Sequence, residues 1–254
     1  MKEANDRSAW FKGSSTCCGT FPAAPQPLYR LVLLGAPGVG KGTQAKLLCA
    51  RLSTCHLSTG DVFRAAKRLS LGELNPELEK ALGYMRRGEL VPDQIVLDLV
   101  RQRCQCLRCA GGFVLDGFPR TVDQAGALHE MLQREHLALT AAIHFVLPLE
   151  QIIARLSGRR TCPSCKTIFH VVMQPPQADG ICDHCGSTLV QREDDQPEAI
   201  CVRMQAYEQS VSALLDFYQK QGLLISIDAD GSPVETCNRS IAALAGPVLV
   251  TPCV

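Results

Sequence analysis

The sequence has no long apolar run: no stretch approaches 18 consecutive apolar residues, so no membrane-spanning helix is expected. It has few aromatics, only 5% of residues with a single Trp, and no excess of either charge, with 26 basic against 25 acidic residues and a net charge of +1. A bulk positive field for nucleic acid or a membrane surface is therefore excluded, and any anion must be met by locally placed cations. No apolar h-region precedes a cleavage site, so secretion is not supported; Glu3 and Asp6 argue against a transit peptide. What the chain does have is 14 cysteines and 18 arginines against 8 lysines. A 254-residue chain outside the secretory route points to a reducing cytoplasm, where clustered cysteines bind metal more often than they pair. Arginine-rich basic content suits bidentate contacts to phosphate or carboxylate.

Residues 1–28 mix charge with Gly, Ser, Thr and Pro and show no period, which predicts a loose N-terminal extension. Short apolar runs then alternate with helical patterns. Strands are expected at 30–34, 56–57, 113–115, 142–147 and 223–227. Helices are expected at 41–53, 61–69, 76–87, 93–108, 121–134, 149–157, 197–220 and 233–245. Alternation of this kind predicts an α/β fold with a parallel sheet. Residues 158–193, rich in Cys, Pro and Gly, break the pattern and read as an inserted module.

Directly after the first strand comes Gly35-Ala36-Pro37-Gly38-Val39-Gly40-Lys41-Gly42-Thr43. Glycines let a backbone wrap an anion, the following helix offers its positive end, and Lys41 can reach the β- and γ-phosphates of a nucleotide. The usual phosphate loop has Ser or Thr after its Lys; here Gly42 intervenes before Thr43. A dinucleotide fingerprint is the alternative, because Gly40-Lys41-Gly42-Thr43-Gln44-Ala45 fits G-x-G-x-x-A, but that motif should begin at the strand end.

Cys162-Pro163-Ser164-Cys165 and Cys182-Asp183-His184-Cys185 form C-x2-C-x16-C-x2-C, the spacing of a tetrahedral Zn²⁺ site made of two knuckles. Four thiolates leave no open position, so the metal would be structural, replacing a core that so small a module cannot build. His184 as a substitute ligand and a pair of disulfides are the alternatives. Cys104, Cys106 and Cys109 read as structural or incidental; Cys49, Cys55, Cys201 and Cys237 read as small core residues.

Three further segments join the phosphate loop: His56-Leu57-Ser58-Thr59-Gly60-Asp61-Val62-Phe63-Arg64, Gly88-Glu89-Leu90-Val91-Pro92-Asp93, and Gly112-Phe113-Val114-Leu115-Asp116-Gly117-Phe118-Pro119-Arg120-Thr121. In this order and near this spacing, from about residue 29 to 249, the chain resembles the adenylate kinase family, in its bacterial form with a metal-bearing lid. The resemblance implies a phosphate-loop nucleoside monophosphate kinase: a five-stranded parallel sheet core, a helical AMP clamp and an inserted zinc-binding lid. The implied division is core at 29–59, clamp at 60–91, core at 92–157, lid at 158–193, core at 194–249 and a tail at 250–254. The implied reaction is reversible transfer of the terminal phosphoryl group of MgATP to AMP, giving two ADP. Mg²⁺ would accompany ATP, Zn²⁺ would sit in the lid, and the protein would be a monomer without nucleic-acid or membrane partners.

The same resemblance distributes roles. Gly38, Val39, Gly40, Lys41, Gly42 and Thr43 would hold ATP phosphates. Arg155 would contact the adenine side of ATP, and the backbone at Ser232 would approach its base. Arg64 and Arg120 would bind the AMP phosphate, while Thr59, Met85, Val91, Gly117 and Gln124 would line the AMP site, Gln124 reading the adenine edge. Asp116 would organise Mg²⁺ through its water shell. Arg159, Arg192 and Arg203 would surround the transferring group, the last two also facing AMP. Spread negative charge in a phosphoryl-transfer transition state asks for this kind of fixed positive charge and for no protein nucleophile. Alternatives are a CMP or UMP kinase, a zinc-ribbon nucleic-acid binder that uses ATP, and a nucleotide binder without turnover. Thr59, where pyrimidine relatives usually carry Ala, and the long lid favour AMP. About four extra residues between Arg64 and Gly88 bear on acceptor choice.

Overall fold

The computed structural model describes residues 28–60, 79–81, 91–101, 112–192 and 195–245. Arg64, Met85, the Gly88–Leu90 part of the second acceptor segment, the expected helix at 61–69, most of that at 76–87, the end of that at 93–108, Cys104, Cys106 and Cys109, the N-terminal extension through residue 27 and the tail lie outside the described residues.

Five strands form one parallel sheet: β1 (Tyr29–Gly35), β2 (Cys55–Ser58), β3 (Gly112–Asp116), β4 (Ala141–Val146) and, late in the chain, β7 (Leu224–Asp228). Their spatial order is β2-β3-β1-β4-β7. The register sets Leu33 beside Asp116 on one side and Ile143 on the other. The connections carry α1 (Lys41–Leu52), α2 (Asp93–Arg101), α3 (Val122–Arg134), α4 (Leu149–Ser157), α5 (Pro197–Lys220) and α6 (Pro233–Ala245).

Strand periodicity separates two apolar layers. Val32, Leu34, Phe113 and Leu115 face one way and pack with Val96 of α2, Leu128 of α3 and Tyr218 of α5. Leu31, Leu33, Val114 and Ile143 face the other way and pack with Leu48 of α1, Ile152 of α4 and Leu244 of α6. Both sides of the sheet are covered, which is why its strands read as continuous apolar runs rather than alternating ones.

β1 lies between β3 and β4, so connections leave it in opposite directions along the sheet. Such a switch point opens a crevice beyond the carboxyl ends of the strands. Gly35–Gly40, Thr59, Asp116–Arg120 and Ala229 all follow strand ends at that edge.

The inserted module is separate from both layers. Its antiparallel pair β5 (Arg159–Thr161) and β6 (Ile168–His170) is joined by an isolated bridge from Thr161 to Val190. Its buried cluster is Cys162, Phe169, Cys182 and Leu189, so half of its core is cysteine. Val171 and Val172, apolar on paper, are exposed. Cys55 and Cys237 are buried and Cys49 half-buried as expected, but Cys201 is exposed. The long α5 buries only a narrow set of its residues, and Cys201 stands beside the exposed Val202 rather than on that face.

Candidate active site and metal centre

The loop after β1 is shaped for an anion. Gly40 precedes α1 with φ of 104°, no side chain caps the helix, and its first turn has no acidic residue. Two other helices are capped by side chains: Thr121 Oγ1 accepts from Gln124 N at the start of α3, and Ser232 and Glu235 cap α6 reciprocally. At α1 no side chain competes with an anion for the N–H groups of the first turn. Lys41 Nζ donates to Gly35 O at 2.6 Å and Ala36 O at 2.9 Å, which folds its side chain back over the loop.

Burial pushes the Lys41 ammonium down from its ordinary 10.5 to about 8. The Asp116 carboxylate opposes that shift, while Arg120, Arg203 and Arg159 add to it by repulsion. Lys41 thus feels one carboxylate and three guanidinium groups, the latter drawn from the β3–α3 turn, β5 and α5.

Gly42, the departure from the usual phosphate loop, lies beside Asp116. A Cβ there would stand 3.4 Å from Asp116 Oδ2, ordinary contact distance, so a Ser or Thr hydroxyl would come within reach of the carboxylate and compete for it. The glycine lets Asp116 reach the first turn of α1. On its other side, His56 Nε2 lies 3.5 Å from Asp116 Oδ2. A carboxylate at a strand end beside a phosphate loop fits an oxygen-loving cation such as Mg²⁺.

Gly117 links two expected residues. Its carbonyl accepts from Thr59 Oγ1 at 3.0 Å and from Arg120 Nε at 2.8 Å. With φ of 83° and Thr59 Oγ1 only 2.9 Å from where a Cβ would stand, the position requires glycine. Gln124 is buried, its Oε1 accepting from Arg120 N at 2.8 Å and its Nε2 donating to Asp93 Oδ1 at 2.6 Å. One donor and one lone pair of that amide remain for a ligand. Val91 is half-buried against the layer beneath.

On the ATP side of the expectation, Arg155 donates to Val39 O at 3.3 Å and Ala229 O at 3.1 Å, tying α4 to the loop and to the end of β7. Gly38 packs on Leu156 of α4, and Thr43 N continues the helix ladder to Gly40 O at 2.9 Å. Ser232 uses its backbone N–H on Glu235 Oε2 at 2.7 Å. Arg192 Nε donates to Thr161 Oγ1 at 3.0 Å within the module.

The residue that sequence reasoning passed over is Asp195. It is fully buried; both carboxylate oxygens take N–H groups of Arg159, with Nε to Oδ2 at 2.7 Å, and Arg203 NH1 lies 3.5 Å from Oδ1. A buried charge needs such pairing, and here it aligns two expected site arginines. The signal in the sequence was faint: an Asp-Asp pair two and three residues past Arg192.

In the module, the four sulfurs of Cys162, Cys165, Cys182 and Cys185 lie within 4.8 Å of one another. The Cys162–Cys185 and Cys165–Cys182 sulfurs are 3.4 and 3.5 Å apart, unbonded thiols rather than disulfides. The Thr167 hydroxyl and backbone N–H hold Cys165 below the ordinary thiol value, and the same groups of Ser187 bring Cys185 down to about 6. Burial pushes the Cys182 thiol the other way, up to about 11, so the low values belong to the two exposed cysteines. Four soft, closely spaced sulfur donors fit Zn²⁺. His184 is not among them; its ring packs at a tilt 6.5 Å from that of Phe169.

A phosphate loop at the switch point of a five-stranded parallel sheet, with cations gathered above it, defines a nucleotide-binding α/β phosphotransferase. The sequence model of the adenylate kinase family matches residues 33–223. An adenylate kinase from Desulforamulus reducens is 43% identical over 220 residues, covering 87% of this chain and 98% of the relative. One from Thermodesulfovibrio yellowstonii is 45% identical over 215 residues, covering 85% and 98%. One from Acidothermus cellulolyticus is 45% identical over 217 residues, covering 85% and 97%. The chain belongs to the adenylate kinase family.

Proposed function

We infer that the protein transfers the terminal phosphoryl group of MgATP to AMP, reversibly, giving two ADP. The observation that carries this is the gathering of Asp116, Arg120, Arg159 and Arg203 about Lys41 at the start of a helix that no side chain caps. Fixed cations around a transferring phosphoryl group supply positioning and charge stabilisation, the main demands of this reaction.

ATP phosphates would lie on the Gly38–Thr43 backbone with Lys41. The acceptor would sit between Thr59, Val91, Gly117 and Gln124, its phosphate on Arg120 with Arg64. Arg159, Arg192 and Arg203 would meet the group in flight, Asp195 holding two of them in line. Asp116 would organise Mg²⁺ through its water shell, and the ion would supply charge neutralisation at the phosphates. Residues 158–193 would form a lid whose closure excludes water, and Zn²⁺ on the four cysteines would keep it folded. No described helix is long and apolar enough to cross a membrane, and the described cysteines are all free thiols, which suits a reducing compartment.

The test is a phosphorylation assay with MgATP against AMP, CMP, UMP and GMP. AMP is expected to be the preferred acceptor; turnover with a pyrimidine nucleotide alone would replace the acceptor reading.

A further inference from the structure

The two cysteine hairpins follow one plan. In Cys162–Thr167 and in Cys182–Ser187, the first cysteine N–H donates to the sixth residue's carbonyl at 2.9 Å. The first cysteine's carbonyl accepts from the fifth residue, Lys166 at 3.2 Å and Gly186 at 2.9 Å. That fifth residue is left-handed in both, with φ of 63° and 71°.

The turn brings the sixth residue's hydroxyl to the second cysteine. Thr167 Oγ1 is 3.1 Å from Cys165 Sγ, and Cys185 Sγ donates to Ser187 Oγ at 3.4 Å. Ser164, from the first hairpin, places its Oγ 2.8 Å from Ser187 Oγ in the second. The pattern is selective by exposure: Cys165 and Cys185 are exposed, whereas Cys162 and Cys182 are buried.

A metal-bound sulfur is a thiolate with no proton to give, so a hydroxyl at hydrogen-bond distance must be the donor. Loading would therefore fix Thr167 as donor to Cys165 and reverse the bond at Cys185, so that Ser187 turns its hydroxyl proton to the sulfur while its oxygen accepts from Ser164. The two sulfurs open to water are the ones where a proton or a competing ligand arrives first. A charge-assisted O–H donor on each occupies the lone pair such an attack would use.

We propose that Thr167 and Ser187, the latter braced by Ser164, are positioning residues of the metal centre that hold its two solvent-facing thiolates and so set how slowly the metal leaves. This rests on the reading of the four cysteines as a Zn²⁺ site. Outer partners of metal ligands change affinity by roughly 10–100-fold, so the effect should be measurable.

The experiment loads the full chain with Zn²⁺, confirms the metal content of each variant, and follows zinc transfer to a chromogenic chelator. Thr167→Val and Ser187→Ala are expected to release zinc at least about 10-fold faster than the parent, while Thr167→Ser and Ser187→Thr stay within about 2-fold of it. Release from the valine and alanine variants at the parent rate overturns the proposal. So does equal acceleration in the hydroxyl-retaining variants, which would assign the effect to packing. A variant that fails to load while its hydroxyl-retaining counterpart loads fully supports the proposal; failure of both members of a pair counts against it. If the parent chain takes up no zinc, the metal reading fails first, a result distinct from zinc that binds and leaves at one rate in every variant.

Discussion

Arg159 grips both carboxylate oxygens of Asp195, 36 residues further along the chain, in a pair whose acidic partner is wholly buried. With Arg203 on the same carboxylate, Asp195 fixes two cations in one orientation. Asp195→Ala should cost about 3–5 kcal/mol of folding stability, because it leaves the arginines without their buried partner. Asp195→Asn keeps the shape but not the charge. It should retain more stability while lowering kcat by about 10-fold or more, since misaligned cations lose transition-state stabilisation. Urea unfolding and steady-state kinetics on both variants check this.

Lys41 predicts a pH dependence. Its native value of about 8 is below the ordinary 10.5, so between those values the unfolded chain holds the proton more often than the native one. This residue's contribution to stability therefore rises as pH climbs from about 8 to 10.5. Phosphate binding works the other way, favouring the charged ammonium. ATP affinity should be fully expressed below pH 8 and fall above it, with proton uptake on binding. Calorimetry in buffers of different ionisation enthalpy measures that uptake, and Lys41→Met should abolish it.

Gly42→Ser restores the usual phosphate-loop residue, yet it should impair this enzyme. The new hydroxyl would come within reach of Asp116 Oδ2, 3.4 Å from the Cβ position, and compete for the carboxylate. The expected signature is a raised Mg²⁺ requirement with a reduced kcat, read from activity at increasing Mg²⁺; unchanged Mg²⁺ dependence would contradict that competition.

Arg120→Ala removes a cation held by the Gly117 carbonyl. Turnover should fall by roughly 10²–10³-fold, as when a single stabilising donor is lost, while the melting temperature moves little because the residue is exposed. Kinetics paired with thermal melts separate the two effects.

Chelation of the zinc-loaded protein should loosen residues 158–192 and leave the sheet intact, because the module's buried cluster is four residues, two of them cysteines. Hydrogen exchange resolved by segment would report protection lost in the module and kept in β1, β3 and β4. Uniform protection after verified metal removal would show that the module holds itself together.

Most of the architecture was legible because it rests on short-range pattern. Five apolar runs became the five parallel strands within a residue or two, and the helices 122–134, 149–157, 197–220 and 233–245 followed their periodicity. Motif spacing likewise pointed to Lys41 and the four cysteines, and the family resemblance to Asp116 and Arg120, as candidates. What stayed hidden depends on pairing across distance. Asp195 is one acidic residue among 25 until the fold buries it against Arg159. The engagement of Gln124 with Asp93 joins residues 31 apart. β5 and β6, three residues each, are too short to show a period and are defined by their pairing. Cys201 misled because residue type suggests burial while only the helix's orientation decides it.

The small cysteine-rich module carries a thermodynamic consequence. A loop-rich segment held by its own side chains would pay conformational entropy each time it ordered over a nucleotide. Cross-linked through four sulfurs by the proposed Zn²⁺, it would surrender that freedom in advance, during folding. Closure of the proposed lid would then reduce to rotation of a stiff panel, with no share of nucleotide affinity consumed in assembling it.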